Sequence, residues 1–111
     1  MFAKVLFDGP CVEINGVQYR HHPNGGGLVA VTATVAKTAK IDLSSIVKDH
    51  AEVGSYAKIN EGSVICDHAV IGDAAEIHQA TIGGNVMVPQ GTVVRCKRTI
   101  TFSHELAGIT S

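Results

Sequence analysis

The sequence predicts an all-β chain wound into a short parallel β-helix of about 3.5 coils, closed at its N-terminal end by a β-hairpin. Three observations carry the prediction. Nine aliphatic residues stand at every sixth position without a miss, at Val29, Val35, Ile41, Val47, Val53, Ile59, Ile65, Ile71 and Ile77. Four places after each comes a small residue: Ala33, Ala39, Ser45, Ala51, Ala57, Ser63, Ala69, Ala75 and Thr81. The period matches neither the turn of an amphipathic helix nor the two-residue alternation of a half-buried strand. It is the period of a coil in which three six-residue segments make one triangular turn and stack on the turn below.

The elements follow in order. Residues 1–27 lack the six-residue phase and read as a cap over an otherwise open sheet edge. Within them residues 4–7 read as a short strand, and residues 12–14 and 17–19 flank Asn15-Gly16. That dipeptide is a hairpin signal, because both central residues of a type I′ turn need positive φ. His21, His22, Pro23 and Asn24, followed by Gly25, Gly26 and Gly27, read as a flexible polar joint. Residues 28–93 are the β-helix itself. Its first coil carries Val29, Val35 and Ile41, its second Val47, Val53 and Ile59, its third Ile65, Ile71 and Ile77. The phase then slips by one, since Ile82 follows Ile77 after five residues and Val88 resumes the spacing, so the fourth coil begins with a one-residue deletion at a corner. Residues 94–111 lose the pattern and read as a last strand and tail that swaps to, or packs on, a neighbour.

Counting the aliphatic residue as position one, positions one and five face inward, two and six lie on the outside of a flat face, and three and four make the corner. Position four is expected to hold the left-handed backbone, which Gly62, Asn85 and Gly91 suit. The three faces then differ. Face one shows Leu28, Ile46, Val64 and Cys66 on its outside; face two shows Val70 and Met87, with small Ala36, Gly54 and Gly72 that allow close approach. Face three shows Lys40, Asp42, Lys58, Asn60, Glu76 and His78 and reads as solvated. An outward aliphatic stripe needs cover. The hairpin is one candidate, and self-association of faces one and two around a threefold axis is the other. The expected trimer interface is therefore Leu28, Ile46, Val64, Cys66, Val70 and Met87.

Bulk composition excludes several function classes. The 111 residues make one domain, and a formal net charge of −1 offers no electrostatic case for nucleic acid or an anionic membrane. Aromatic residues are few and Trp is absent, which argues against a base-stacking platform. The opening residues are too short an apolar run for a signal peptide, and no segment is long enough to span a bilayer. Cys11, Cys66 and Cys96 are odd in number and form no CxxC pair, so neither a disulfide framework nor a zinc knuckle is indicated and a cytoplasmic protein is expected.

The corner between faces one and two holds the main candidate site. Asp49-His50 recurs as Asp67-His68 one coil later, and Thr32 and Asn85 extend the ladder. If this corner lies at a subunit interface, its side chains form a polar ligand pocket, a proton-responsive contact or a metal site with His50 and His68 as weak candidate ligands. The bland alternative is that the histidines fill a left-handed corner and the aspartates a turn position. Adjacent His21 and His22 point to opposite sides of a strand and do not share an ion. Cys66, beside the stripe, reads as an interface thiol rather than a nucleophile.

On the uninterrupted repeat of residues 29–93, the chain resembles the hexapeptide-repeat superfamily. The resemblance implies a left-handed parallel β-helix and, since these proteins are characteristically trimers, a homotrimer. Most enzymes with this fold transfer acyl groups from coenzyme A or an acyl carrier protein. The run Val88-Pro89-Gln90-Gly91-Thr92-Val93 looks like their final coil, and a catalytic base here would be His78 or His50. The same run also reads as one more repeat with ordinary corner residues. The γ-class carbonic anhydrases share the fold and hold zinc between subunits through three histidines, two of them five residues apart. Here the matching positions are Asp67 and Gly72, and the motif does not carry over. No loop interrupts the repeat to wall a cofactor-length cleft. The sequence therefore points to a non-enzymatic trimeric scaffold or binding module with no cofactor, holding a small ligand or protein partner in inter-subunit grooves through Asp49, His50, Asp67, His68 and Asn85. A minimal acyltransferase is the alternative, and a carbonic-anhydrase-like metal site a more distant one.

Overall fold

Val and Ile are stiff at χ1 and fit an extended backbone. Each aliphatic residue of the repeat therefore seeds a short strand, and the polar and small residues between them turn the chain. The computed structural model describes residues 12–95, 97 and 99–101. The expected strand at residues 4–7, Cys11, Cys96 and the tail beyond residue 101 lie outside the described residues. The described residues form a parallel β-helix of about four coils with three sheets as its faces.

Sheet one contains β1 (Val12–Ile14), β2 (Val17–His21), β3 (Leu28–Ala30), β6 (Ile46–Val47), β9 (Val64–Ile65), β12 (Thr81–Ile82) and β15 (Thr99–Ile100), in that spatial order. Sheet two stacks β4 (Thr34–Val35), β7 (Glu52–Val53), β10 (Val70–Ile71) and β13 (Met87–Val88). Sheet three stacks β5 (Lys40–Ile41), β8 (Lys58–Asn60), β11 (Glu76–His78) and β14 (Val93–Val94). Among the described strands all pairings between coils are parallel, while β1–β2 and β2–β3 are antiparallel.

The core is a set of vertical columns. Val29, Val47, Ile65, Ile82 and Ile100 stack inside sheet one, and Ile41, Ile59, Ile77 and Val94 inside sheet three. Val53, Ile71 and Val88 fill the third side, and Ala39, Ala51, Ala57, Ala69 and Ala75 are fully buried where the coil narrows toward its corners. Burying one such Val or Ile contributes about 1.5–3 kcal/mol relative to leaving it in water. On face two Gly72 is required by close approach within the chain: a Cβ there would lie 2.7 Å from the Gln90 nitrogen and 2.8 Å from the Val88 oxygen.

Four expectations need correction. First, Thr81 is not the inward small residue. The deletion falls between Ile77 and Ile82, so Thr81 pairs with outward Val64 and Ala80, 2% exposed, takes the interior place. Second, the repeat does not stop at residue 93. Val94 and Ile100 are fully buried, and β15 pairs with β12 of its own chain. Third, residues 21–27 are no flexible joint. His22 N–H donates to the Gly27 carbonyl at 2.7 Å, Gly26 N–H to His22 at 3.0 Å, Gly27 N–H to Ile41 at 2.8 Å and Ile41 N–H to Asn24 at 3.0 Å. Orphan backbone groups at a buried end must find partners, and here the first coil's edge on sheet three supplies them. Fourth, the left-handed residues at the first corner are Asp49, Asp67 and Gly84, at φ of 58°, 56° and 61°, rather than His50, His68 and Asn85.

The cap follows its sequence signal. Asn15 and Gly16 both have positive φ, 50° and 81°, and turn β1 onto β2. β2 then adds edge to edge to β3, pairing Tyr19 with Ala30 and His21 with Leu28. The hairpin thus prolongs sheet one past its first rung.

Candidate functional site at the first corner

At the first corner the second and third coils present the same two residues, Asp49-His50 and Asp67-His68, one directly above the other. Asp49 Oδ2 accepts the Asp67 N–H at 3.0 Å, and Asp67 Oδ2 accepts the Gly84 N–H at 2.8 Å. One rung earlier, the Thr32 hydroxyl donates to the Asp49 carbonyl at 2.5 Å. Aspartate tolerates the left-handed backbone and its short carboxylate reaches the amide of the next rung, which is why Asp recurs at this place. The histidines follow with ordinary backbone. His50 N–H donates to Asp67 O and His68 N–H to Gly84 O, each at 2.9 Å, which fixes the rings one above the other. The His50 and His68 imidazoles stack with centroids 5.2 Å apart and planes 11° off parallel. Both are exposed, as is Asn85 on the following rung.

Cys66 borders this ladder on the side of sheet one. Its thiol and the carboxylates of Asp49 and Asp67 bring one ligand atom each to within 4.8 Å of one another. Burial pushes the Cys66 thiol up, and the Asp67 and Asp49 charges push it further the same way against the opposing Lys48. Cys66 is a half-buried free thiol.

Corner one therefore gathers Asp49, His50, Asp67, His68, Cys66 and Asn85 in one strip. The apolar residues expected beside it divide between two faces. Leu28, Ile46 and Val64 are half-buried and lie in register on the outside of sheet one, Leu28 opposite Ile46 and Ile46 opposite Val64. Val70 and Met87 pair on sheet two, where Met87 is 62% exposed, and Glu52 follows Val70 in the same column. The other candidate base, His78, stands apart on β11 of sheet three.

Two residues around His78 were not singled out from the sequence. Glu76 Oε1 lies 3.2 Å from His78 Nε2, and Glu61 Oε1 lies 3.9 Å from Nδ1. Glu76 was legible, since residues two apart on a strand share a face. Glu61 belongs to the preceding coil and meets His78 only through stacking at the third corner. His21 and His22 separate as expected: His21 is exposed and His22 is 2% exposed.

Among the described residues no helix is long and apolar enough to cross a membrane. No curated protein and no solved structure matches the chain. The model of the family described as GlmU-like, C-terminal hexapeptide, matches residues 20–100, from the second hairpin strand to the last rung of sheet one. With its stacked six-residue segments and three parallel sheets, the chain belongs to the GlmU-like C-terminal hexapeptide family.

Proposed function

We propose that the chain is a non-enzymatic scaffold or binding module that assembles as a cytoplasmic homotrimer through faces one and two. The observation that carries this reading is the vertical column Leu28–Ile46–Val64 on the outside of sheet one. Three aliphatic side chains about 4.8 Å apart make a continuous apolar strip, and a strip of that kind is a site of association. The described hairpin leaves it uncovered, because β2 is the next strand of the same sheet rather than a layer across it. The family resemblance supports a second and third copy as the cover. Corner one then borders the grooves between subunits, where Asp49, His50, Asp67, His68 and Asn85 offer acceptors and donors to a small polar molecule or a protein partner. Between residues 29 and 94 the turns are all short, with no inserted loop to wall a cofactor cleft.

The family match favours one second reading, a minimal acyltransferase, in which His78, oriented by Glu76, is the base. Light scattering after size exclusion tests the first reading. We expect a mass three times the 11.6 kDa of one chain at micromolar concentration, and dissociation in Ile46→Asp. A monomeric wild type overturns the trimer. Thermal shift with acetyl-coenzyme A separates the two readings: stabilisation, together with acyl transfer lost in His78→Ala, overturns the non-enzymatic role.

A further inference from the structure

His50 and His68 stand one rung apart at the first corner, and their imidazoles stack with centroids 5.2 Å apart and planes 11° off parallel. The backbone fixes both origins, since each residue donates its N–H to the carbonyl of the rung above at 2.9 Å. Both residues are exposed, and no hydrogen bond or ion pair within the chain engages either ring. Two imidazoles are thus held side by side with their nitrogens unspent. Across the four rungs of this corner, residues 30–34, 48–52, 66–70 and 84–87, the chain carries Asp49, Glu52 and Asp67 against Lys48. The corner's field therefore favours a cation over an anion.

We propose that His50 and His68 of one chain chelate a divalent transition ion of the Zn²⁺ or Cu²⁺ class, which ties the second coil to the third. Imidazole nitrogen is a preferred ligand of these ions, whereas Mg²⁺ and Ca²⁺ take oxygen. Zn–N bonds of about 2.0–2.1 Å in a tetrahedral site set the two nitrogens roughly 3.3 Å apart. Stacked rings 5.2 Å apart reach that separation by tilting toward each other about their side-chain torsions, which exposure leaves free to turn. Asp49 and Asp67 act through their charge, because each already gives its Oδ2 to an amide of the next rung. Water completes the coordination. The inference deepens the reading of corner one as a binding strip by naming its ligand class. It rests on that strip and not on the trimer, because both ligands belong to one chain.

Calorimetric titration of the metal-free chain with Zn²⁺ near neutral pH tests this, in a Cys11→Ser, Cys96→Ser background that keeps Cys66. We expect one ion per chain. His50→Gln and His68→Gln should each weaken binding by at least about tenfold, since even partners outside the ligand shell are worth that much. His21→Gln, on β2, and Cys66→Ser should leave binding unchanged, and excess Mg²⁺ should not displace the ion. With the last thiol removed by Cys66→Ser, the electron paramagnetic resonance of bound Cu²⁺ should show two equatorial imidazole nitrogens, and one in each of the two histidine variants. The proposal is overturned if Zn²⁺ does not bind, if Mg²⁺ competes, or if the Cu²⁺ spectrum lacks the imidazole pair. It is equally overturned if Cys66→Ser abolishes binding while His50→Gln and His68→Gln retain it, which puts the ion on the Asp49, Cys66 and Asp67 cluster. Light scattering on the same samples separates the two readings. A trimer that binds no Zn²⁺ refutes the chelate alone, and a monomer that binds it refutes the trimer alone.

Discussion

Ser63→Ala should destabilise this protein more than Ser45→Ala, although both serines occupy the same small-residue column and both are buried. At most corners the small inward residue closes its turn by donating its N–H three residues back. Ala39 does so to Ala36 at 3.0 Å, Ala75 to Gly72 at 3.2 Å and Ser63 to Asn60 at 3.3 Å. The deletion before Ile82 shortens that turn for Ala80, whose N–H donates instead to the Ser63 hydroxyl at 3.3 Å. The same hydroxyl donates to the Asn60 carbonyl at 2.6 Å. Removing it strands a buried amide and costs about 1–3 kcal/mol. That is a large part of a total stability on the order of 5–15 kcal/mol, and it corresponds to a fall in Tm of roughly 4–12 °C at this size. Ser45 Oγ accepts only the Ser63 N–H, at 3.2 Å, and that N–H also reaches Asn60, so Ser45→Ala should cost less than about 1 kcal/mol. Thermal and urea unfolding at one fixed chain concentration measures both, since association would otherwise add its own term. If the two variants agree to within about 0.5 kcal/mol, the hydroxyl does not substitute for the missing turn bond.

Two further outcomes follow from the first corner. Asp67→Ala loses the acceptor for the Gly84 N–H and puts alanine at a φ of 56°, and should cost about 1–2.5 kcal/mol in urea unfolding. Asp67→Asn keeps an acceptor and a residue at ease in that backbone, and should lie within about 0.5 kcal/mol of wild type. In a Cys11→Ser, Cys96→Ser background, iodoacetamide should alkylate Cys66 more slowly than a free cysteine at pH 7.5, because burial and the two carboxylates hold the thiol protonated. Asp67→Asn in that background should speed the reaction, and an unchanged rate would show that the carboxylate does not act on the sulfur.

The coils were legible because they rest on one local rule repeated. Val47 packs on Ile65 for the reason that Ile65 packs on Ile82, and a period visible in nine residues needs no tertiary information. The stacking of His50 on His68 was legible on the same ground. What the register could not supply was the backbone state within each corner. Asp49 and His50 are both polar and turn-compatible, and only the reach of the carboxylate to the next rung's amide decides that the aspartate turns left-handed. Nor could the pattern show that Val94 and Ile100 continue the interior, since one deletion and the basic run around Arg95 break the count that located the other rungs. His22 was misread for a related reason. A polar residue beside three glycines looks solvated, and its burial depends on bonds to Ala39, more than ten residues later in the chain.

The two ends of the prism are finished differently, and this sets the direction in which copies can add. The hairpin runs antiparallel across the first rung of sheet one and the 22–27 turn lies over sheet three, so an incoming coil cannot continue the parallel winding on those two sides. Among the described residues β4 and β5 are the starting ends of their sheets, and the 22–27 turn is bonded to β5. A solenoid with matching open ends grows into a fibre, whereas one blocked at its start is restricted to lateral contact through its flat faces and to closed assemblies. In that sense the cap acts as a chain terminator.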